Sequence, residues 1–167
     1  DTLTEKGCRE AELLAKRALS LHIGKCYVSP LRRAQRTALP SLEAAGCKAE
    51  TVEWLQEFPA KLDVNKAPEL AEAYPDIEKE GETYRPRIVW DMAPGYLTEH
   101  EEYMDKTNWR HSLVAKCSDM EDVYDKVTKE FDTLLAKHGY VRENGYYRVE
   151  KESTETITLF CHFGLIC

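Results

Sequence analysis

The 167 residues suffice for one domain with a sizeable core and are too few for two ordinary ones. A composition that is 43% apolar and 32% charged excludes a disordered chain. With 30 acidic and 23 basic residues the net charge is -7, which argues against nucleic acid or an anionic membrane as the main partner.

A phosphorylated ligand would need arginines gathered locally against that charge. No apolar run is long enough to cross a bilayer. The cysteines Cys8, Cys26, Cys47, Cys117, Cys161 and Cys167 form no CxxC pair, and several lie in apolar runs. This usage suits reduced, buried thiols and a cytoplasmic location.

Residues 4–20 are predicted to be a helix, with Cys8, Ala11, Leu14 or Ala15, and Ala18 inward, Thr4 as cap and a stop near Gly24. Lys25 to Val28 reads as a short strand. Ser29-Pro30 opens a second helix, with Ser29 as N-cap, Pro30 in the first turn, a kink at Pro40 and an end at Gly46. A strand follows at about 48–53. From 59 to about 117 the chain is broken by Pro59, Pro68, Pro75, Pro86 and Pro94, and reads as an excursion from the main sheet within a single domain. Ser118 and Glu121 form a capping box for a helix that stops before Gly139. Asn144-Gly145 turns a hairpin, and Thr156 to Cys161 is a buried strand with His162 just past its end.

Helices alternating with short apolar strands predict a three-layer α/β/α sandwich with a largely parallel sheet. Ligands of such sheets bind at the carboxyl ends of strands. Ser29 to Arg33 and His162 to Gly164 both fall at such ends.

Three stretches could carry chemistry. Arg32, Arg33 and Arg36 sit in the opening turns of a helix, where an anion is favoured; a solvated basic face is the plainer alternative. Arg33 shares a face with Thr37, and Arg32 with Arg36, so only part of the cluster points inward. Glu57, after the second strand, could serve as a general acid or base, or be one more surface carboxylate. His162 ends a buried strand and precedes Phe163-Gly164; a hydrogen-bonded structural histidine is its alternative role. His100-Glu101 lacks the second histidine of a zinc-protease motif, and no metal site is expected.

Taken together, Leu3-Thr4-Glu5-Lys6-Gly7, Ser29-Pro30-Leu31-Arg32-Arg33-Ala34-Gln35-Arg36-Thr37-Ala38, Leu55-Gln56-Glu57-Phe58 and His162-Phe163-Gly164 resemble, in order, motifs of the histidine phosphatase superfamily, the phosphoglycerate mutase-like clan. The resemblance spans nearly the whole chain. It implies a phosphatase acting on a small phosphorylated substrate through a phosphohistidine, with no metal or other cofactor. It further implies that Arg33 and His162, with Ser29 and Gly164, bind the phosphoryl group. Glu57 would protonate the leaving alcohol and then activate water, and His162 would stabilise the transition state. The 59–117 excursion would cover the site, with Arg85, Arg87, Trp90 and Trp109 as candidate lining residues, although packing is the plainer role for each tryptophan.

The sequence departs from the family in three ways. No Arg-His-Gly segment, which supplies the family's nucleophilic histidine, precedes Thr4, and the sequence stops soon after His162. The expected object is therefore a partial domain, incomplete at both ends, with no turnover from residues 1–167 alone. Glu57-Phe58-Pro59 lacks the continuations of true mutases, and Phe163 stands where many members have glycine. Both differences favour a phosphatase over a mutase. One rival is a cysteine-dependent phosphatase, because Cys26 and Arg32 are spaced as Cys-x5-Arg, although Pro30 and the lack of glycine suit that loop badly. The other is a non-catalytic phosphate-binding module. Substrate and oligomeric state are left open.

Overall fold

The structure, a computed structural model, describes residues 2–166. It divides into two compact units, residues 1–57 with 127–167 and residues 58–126.

The first unit opens with α1 (Glu5–Leu21). Thr4 caps it, its Oγ1 accepting the Gly7 N–H at 3.1 Å. The helix ends on His22 in the left-handed conformation, before Gly24 is reached. Ala11, Ala15 and Ala18 form its buried face, packed on the second helix, and Leu14 stays exposed. Gly24 has a different task. It brings the chain into β1 (Lys25–Val28) so close to the entry of the last strand that a Cβ here would lie 2.3 Å from the Thr156 carbonyl oxygen.

Helix α2 (Arg32–Ala45) begins later than the Ser29-Pro30 signal predicts. Leu31 occupies the N-cap position and makes no side-chain cap bond. Ser29 still belongs to the sheet, its N–H donating to the Phe160 carbonyl at 2.9 Å, and the residue before a proline is held extended. The helix runs on through Pro40 and closes at Gly46, whose φ of 64° lets its N–H reach the carbonyls of Glu43 and Leu42. The short strand β2 (Ala49–Thr51) follows.

The second unit is built from small pieces: β3 (Lys61–Leu62), β4 (Lys79–Glu80), β5 (Thr83–Tyr84), β6 (Arg87–Ile88), α3 (Pro94–Glu99) and α4 (Leu113–Cys117), joined by 3-10 turns. β3 pairs with β6 and β4 with β5, both antiparallel. The unit has its own core, with Leu62, Val64, Leu70, Tyr74 and Val114 fully buried. Here the tryptophans pack and bond within the unit. Trp90 lies edge-on to Phe58 and donates to its carbonyl at 3.2 Å, and Trp109 meets Tyr124 and the Arg110 guanidinium. Arg85 pairs with Glu80 and Arg87 with Asp76.

Helix α5 (Met120–Lys137) is shared between the units; at its start Ser118 Oγ accepts the Met120 N–H. The first unit resumes with the hairpin β7 (Tyr140–Glu143) and β8 (Tyr146–Val149), turned by Asn144 at φ 53°. It closes with β9 (Ile157–Phe160) and α6 (Phe163–Ile166).

The main sheet has the order β2-β1-β9 and is parallel throughout, so this is an α/β fold around a small parallel sheet. Its side chains alternate between two faces. Val28 and Phe160 pack with Ala34, Ala38 and Leu42 of α2. Tyr27, Ile157 and Leu159 pack with Leu55 and with Leu134 of α5. The register pairs Val28 with both Thr51 and Phe160, so all three strands finish level.

Candidate active site

Because the strands end together, the segments leaving them emerge at one edge. Ser29 follows β1, the turn leading to Glu57 follows β2, and His162 follows β9. Ser29, Arg33, Glu57, His162 and Gly164 meet here, inside the first unit.

His162 is the buried centre, 7% exposed. Its Nε2 lies 2.8 Å from Ser29 Oγ, a contact across 133 positions of sequence. Ser29 is fully buried, and its oxygen also accepts the Leu31 N–H at 3.2 Å. A neutral His162 that accepts the Ser29 hydroxyl proton at Nε2 carries its own proton on Nδ1. Nδ1 faces Glu57 Oε2 at 3.8 Å. Burial holds the imidazole below the ordinary histidine range; the nearby Arg33 cation pushes the same way, and Glu57 opposes them.

Glu57 reaches three groups. Its Oε1 accepts the backbone N–H of Gly164 at 2.9 Å. Its Oε2 stands 3.4 Å from Arg33 Nη2 and faces the His162 ring. The side chains of Arg33 and Glu57 are 38% and 40% exposed, so water screens their pairing and it adds little to stability. It is better read as a matter of position.

Arg33 is the only one of the arginines at 32, 33 and 36 to face the site. Arg32 is exposed, and Arg36 turns toward Thr2 and Cys8. This follows the division of faces expected from helical spacing. Beside Arg33 and His162 lies a cavity of about 320 Å³, also lined by Thr37, Phe160, Cys161 and Ile166. Thr37 was marked by its spacing from Arg33, and its hydroxyl bonds back to the Arg33 carbonyl at 2.9 Å. Cys161 gave no signal beyond preceding His162. Its thiol is pushed up chiefly by burial.

Cys26 is not placed as a nucleophile. It is fully buried in β1, its thiol donates to the Gly24 carbonyl, and burial together with the neighbouring Cys47 pushes it up to about 11. That removes the Cys-x5-Arg reading. His22 ends α1, and His138 bonds to Tyr27 and Glu155, so neither approaches His162. Among the described residues, no group of three or more His, Cys, Asp and Glu side chains is gathered as a metal site.

A search of curated proteins gives no significant match. A family model does match, the histidine phosphatase superfamily (branch 1), over residues 2–92. The match takes in Ser29, Arg33 and Glu57, and it covers more than half of the chain. The chain belongs to the histidine phosphatase superfamily.

Proposed function

We propose that this domain hydrolyses a small phosphomonoester, without a metal, through a phosphohistidine intermediate. One observation carries the reading: the Glu57 carboxylate lies among three potential donors, Arg33, His162 Nδ1 and the Gly164 N–H. Such a cradle suits a phosphoryl group, whose equatorial oxygens need positive charge and N–H donors more than covalent help. Glu57 fills it when no substrate is bound.

An entering phosphate takes over the donors that Glu57 uses. Arg33 holds its oxygens, and His162 donates from Nδ1 to the charge that builds in the transition state. Glu57, displaced but adjacent, takes up a proton from water and gives it to the leaving alkoxide as the nucleophilic histidine bonds to phosphorus and the P–O bond breaks. It then takes a proton from the water that attacks the phosphohistidine, which releases inorganic phosphate and restores the free histidine. The nucleophile would come from an Arg-His-Gly segment ahead of α1, which the described residues do not include. Ser29 serves by fixing the His162 ring. In this reading the sheet and its flanking helices form a three-layer α/β/α sandwich, the 59–117 excursion selects the substrate, and the protein works in the cytoplasm on a small soluble phosphate ester.

The test is to react the full-length protein with a radiolabelled aryl phosphate and quench it in denaturant. A label stable to alkali and lost in mild acid is expected. An acid-stable label, or tight phosphate binding without turnover, would overturn the proposal; the second result would favour a phosphate-binding module.

A further inference from the structure

Cys26 and Cys47 lie outside the catalytic constellation, with their sulfurs 3.9 Å apart. Cys26 is locked in β1 under α2 and fully buried. Cys47 follows the Gly46 cap in the connection to β2 and is partly exposed, with Lys48 exposed beside it. One sulfur is thus inaccessible, and the other, in a connecting loop, is within reach of solvent. Among the described residues no other cysteine competes. Cys26 shares the α2 face of the sheet with Val28, whereas Cys161 packs on the opposite face with Tyr27 and Leu159. Cys8 faces Arg36, and Cys117 belongs to the other unit.

We propose that Cys26 and Cys47 form a reversible disulfide, with Cys47 as the entry point for a small-molecule disulfide of the glutathione class and Cys26 as the resolving thiol. The Cys47 thiolate attacks one sulfur of the oxidant and expels its other half as a thiolate. The Cys26 thiol then attacks Cys47 Sγ, and its proton passes to the second half as that half leaves as a thiol. In sum, two protein thiols and one small disulfide become one protein disulfide and two small thiols. Closing 3.9 Å to a bond of about 2.05 Å requires a turn of the Cys47 side chain and some yielding of its loop. Cys26 gives up its hydrogen bond to the Gly24 carbonyl, and its burial makes the second step the slow one. The closed loop would contain Ser29, Arg33 and all of α2, so oxidation would tie the phosphate-facing helix to the sheet.

The full-length protein, held native in oxidised glutathione and then alkylated, reads this out. Expected are an intact mass short by two hydrogens, a cross-linked peptide pairing Cys26 with Cys47, a higher denaturation midpoint, and full reversal by dithiothreitol. Cys47→Ser, a change at a partly exposed loop position, should abolish the cross-link and leave Cys26 unmodified. Protein in which both residues are alkylated once the glutathione is removed and the chain is denatured would overturn the proposal. So would a glutathione adduct that persists on Cys47, or pairing of either residue with a different cysteine. Phosphatase activity enters none of these readouts, so they stand apart from the proposed function.

Discussion

At the scale of single residues, the site turns on how Glu57 shares its neighbours with the substrate. If it competes with phosphate for Arg33 and acts as the acid, its two duties separate on mutation. Glu57→Gln keeps an oxygen for the Gly164 N–H but loses the charge and the transferable proton. Turnover should fall by about a hundredfold to ten-thousandfold. Inorganic phosphate should inhibit the variant at least as well as the parent, because the Glu57 carboxylate no longer competes for Arg33. Arg33→Ala should do the reverse in binding, weakening phosphate inhibition by tenfold or more, as a charged hydrogen bond of about 1.5–3 kcal/mol is lost. Steady-state kinetics with phosphate as inhibitor check both; equal weakening in the two variants would contradict this division. Helical spacing set Arg33 and Thr37 apart from Arg32 and Arg36 but left open which pair turns inward; the motif resemblance pointed to Arg33. The Ser29 contact was not, because nothing local announces a partner 133 positions away. In sequence Ser29 reads as a helix cap and, through the resemblance, as a phosphate ligand, while its buried hydroxyl bonds to His162 and the Leu31 N–H.

At the scale of elements, the long helices and the main-sheet strands were readable wherever apolar residues recur with a clear period. α1, α5, the β7–β8 hairpin and β9 fall within a residue or two of their expected limits. Residues 58–126 resisted because their strands are two residues long and their turns are 3-10, too short to display any period. The small contacts that fit elements together were equally hidden. Gly24 reads as a stop signal for α1, yet its real constraint is the approach to Thr156. Gly24→Ala would set a methyl 2.3 Å from a backbone oxygen, and the strands would have to separate. A loss of about 1–3 kcal/mol is expected, measured by urea denaturation. Ser41 in α2 behaves oppositely. It is fully buried, and its hydroxyl finds no hydrogen-bond partner among the described residues. Ser41→Ala removes that unsatisfied group at almost no cost in packing, and should raise stability by about 1 kcal/mol in the same assay.

For the whole molecule, charge and the buried site make opposing demands as pH falls. The net charge of -7 and an isoelectric point near 5.3 mean that mild acidification reduces self-repulsion, which by itself would not destabilise the fold. His162 acts against this. Its folded pKa lies below its unfolded one, because burial and Arg33 outweigh Glu57. Above the unfolded value, about 6.5, both states hold the ring neutral and its contribution is complete. Below it the unfolded chain takes up a proton that the native site still refuses, and stability drains away until the folded pKa is reached. The full-length protein should therefore lose stability between about pH 7.5 and pH 5.5. His162→Asn, which removes the titrating ring, should lose less over that interval, even though it starts from a lower value for want of the Ser29 contact. Urea titrations at the two pH values compare the slopes rather than the absolute stabilities. An equal decline in parent and variant would mean that His162 is not the group held neutral.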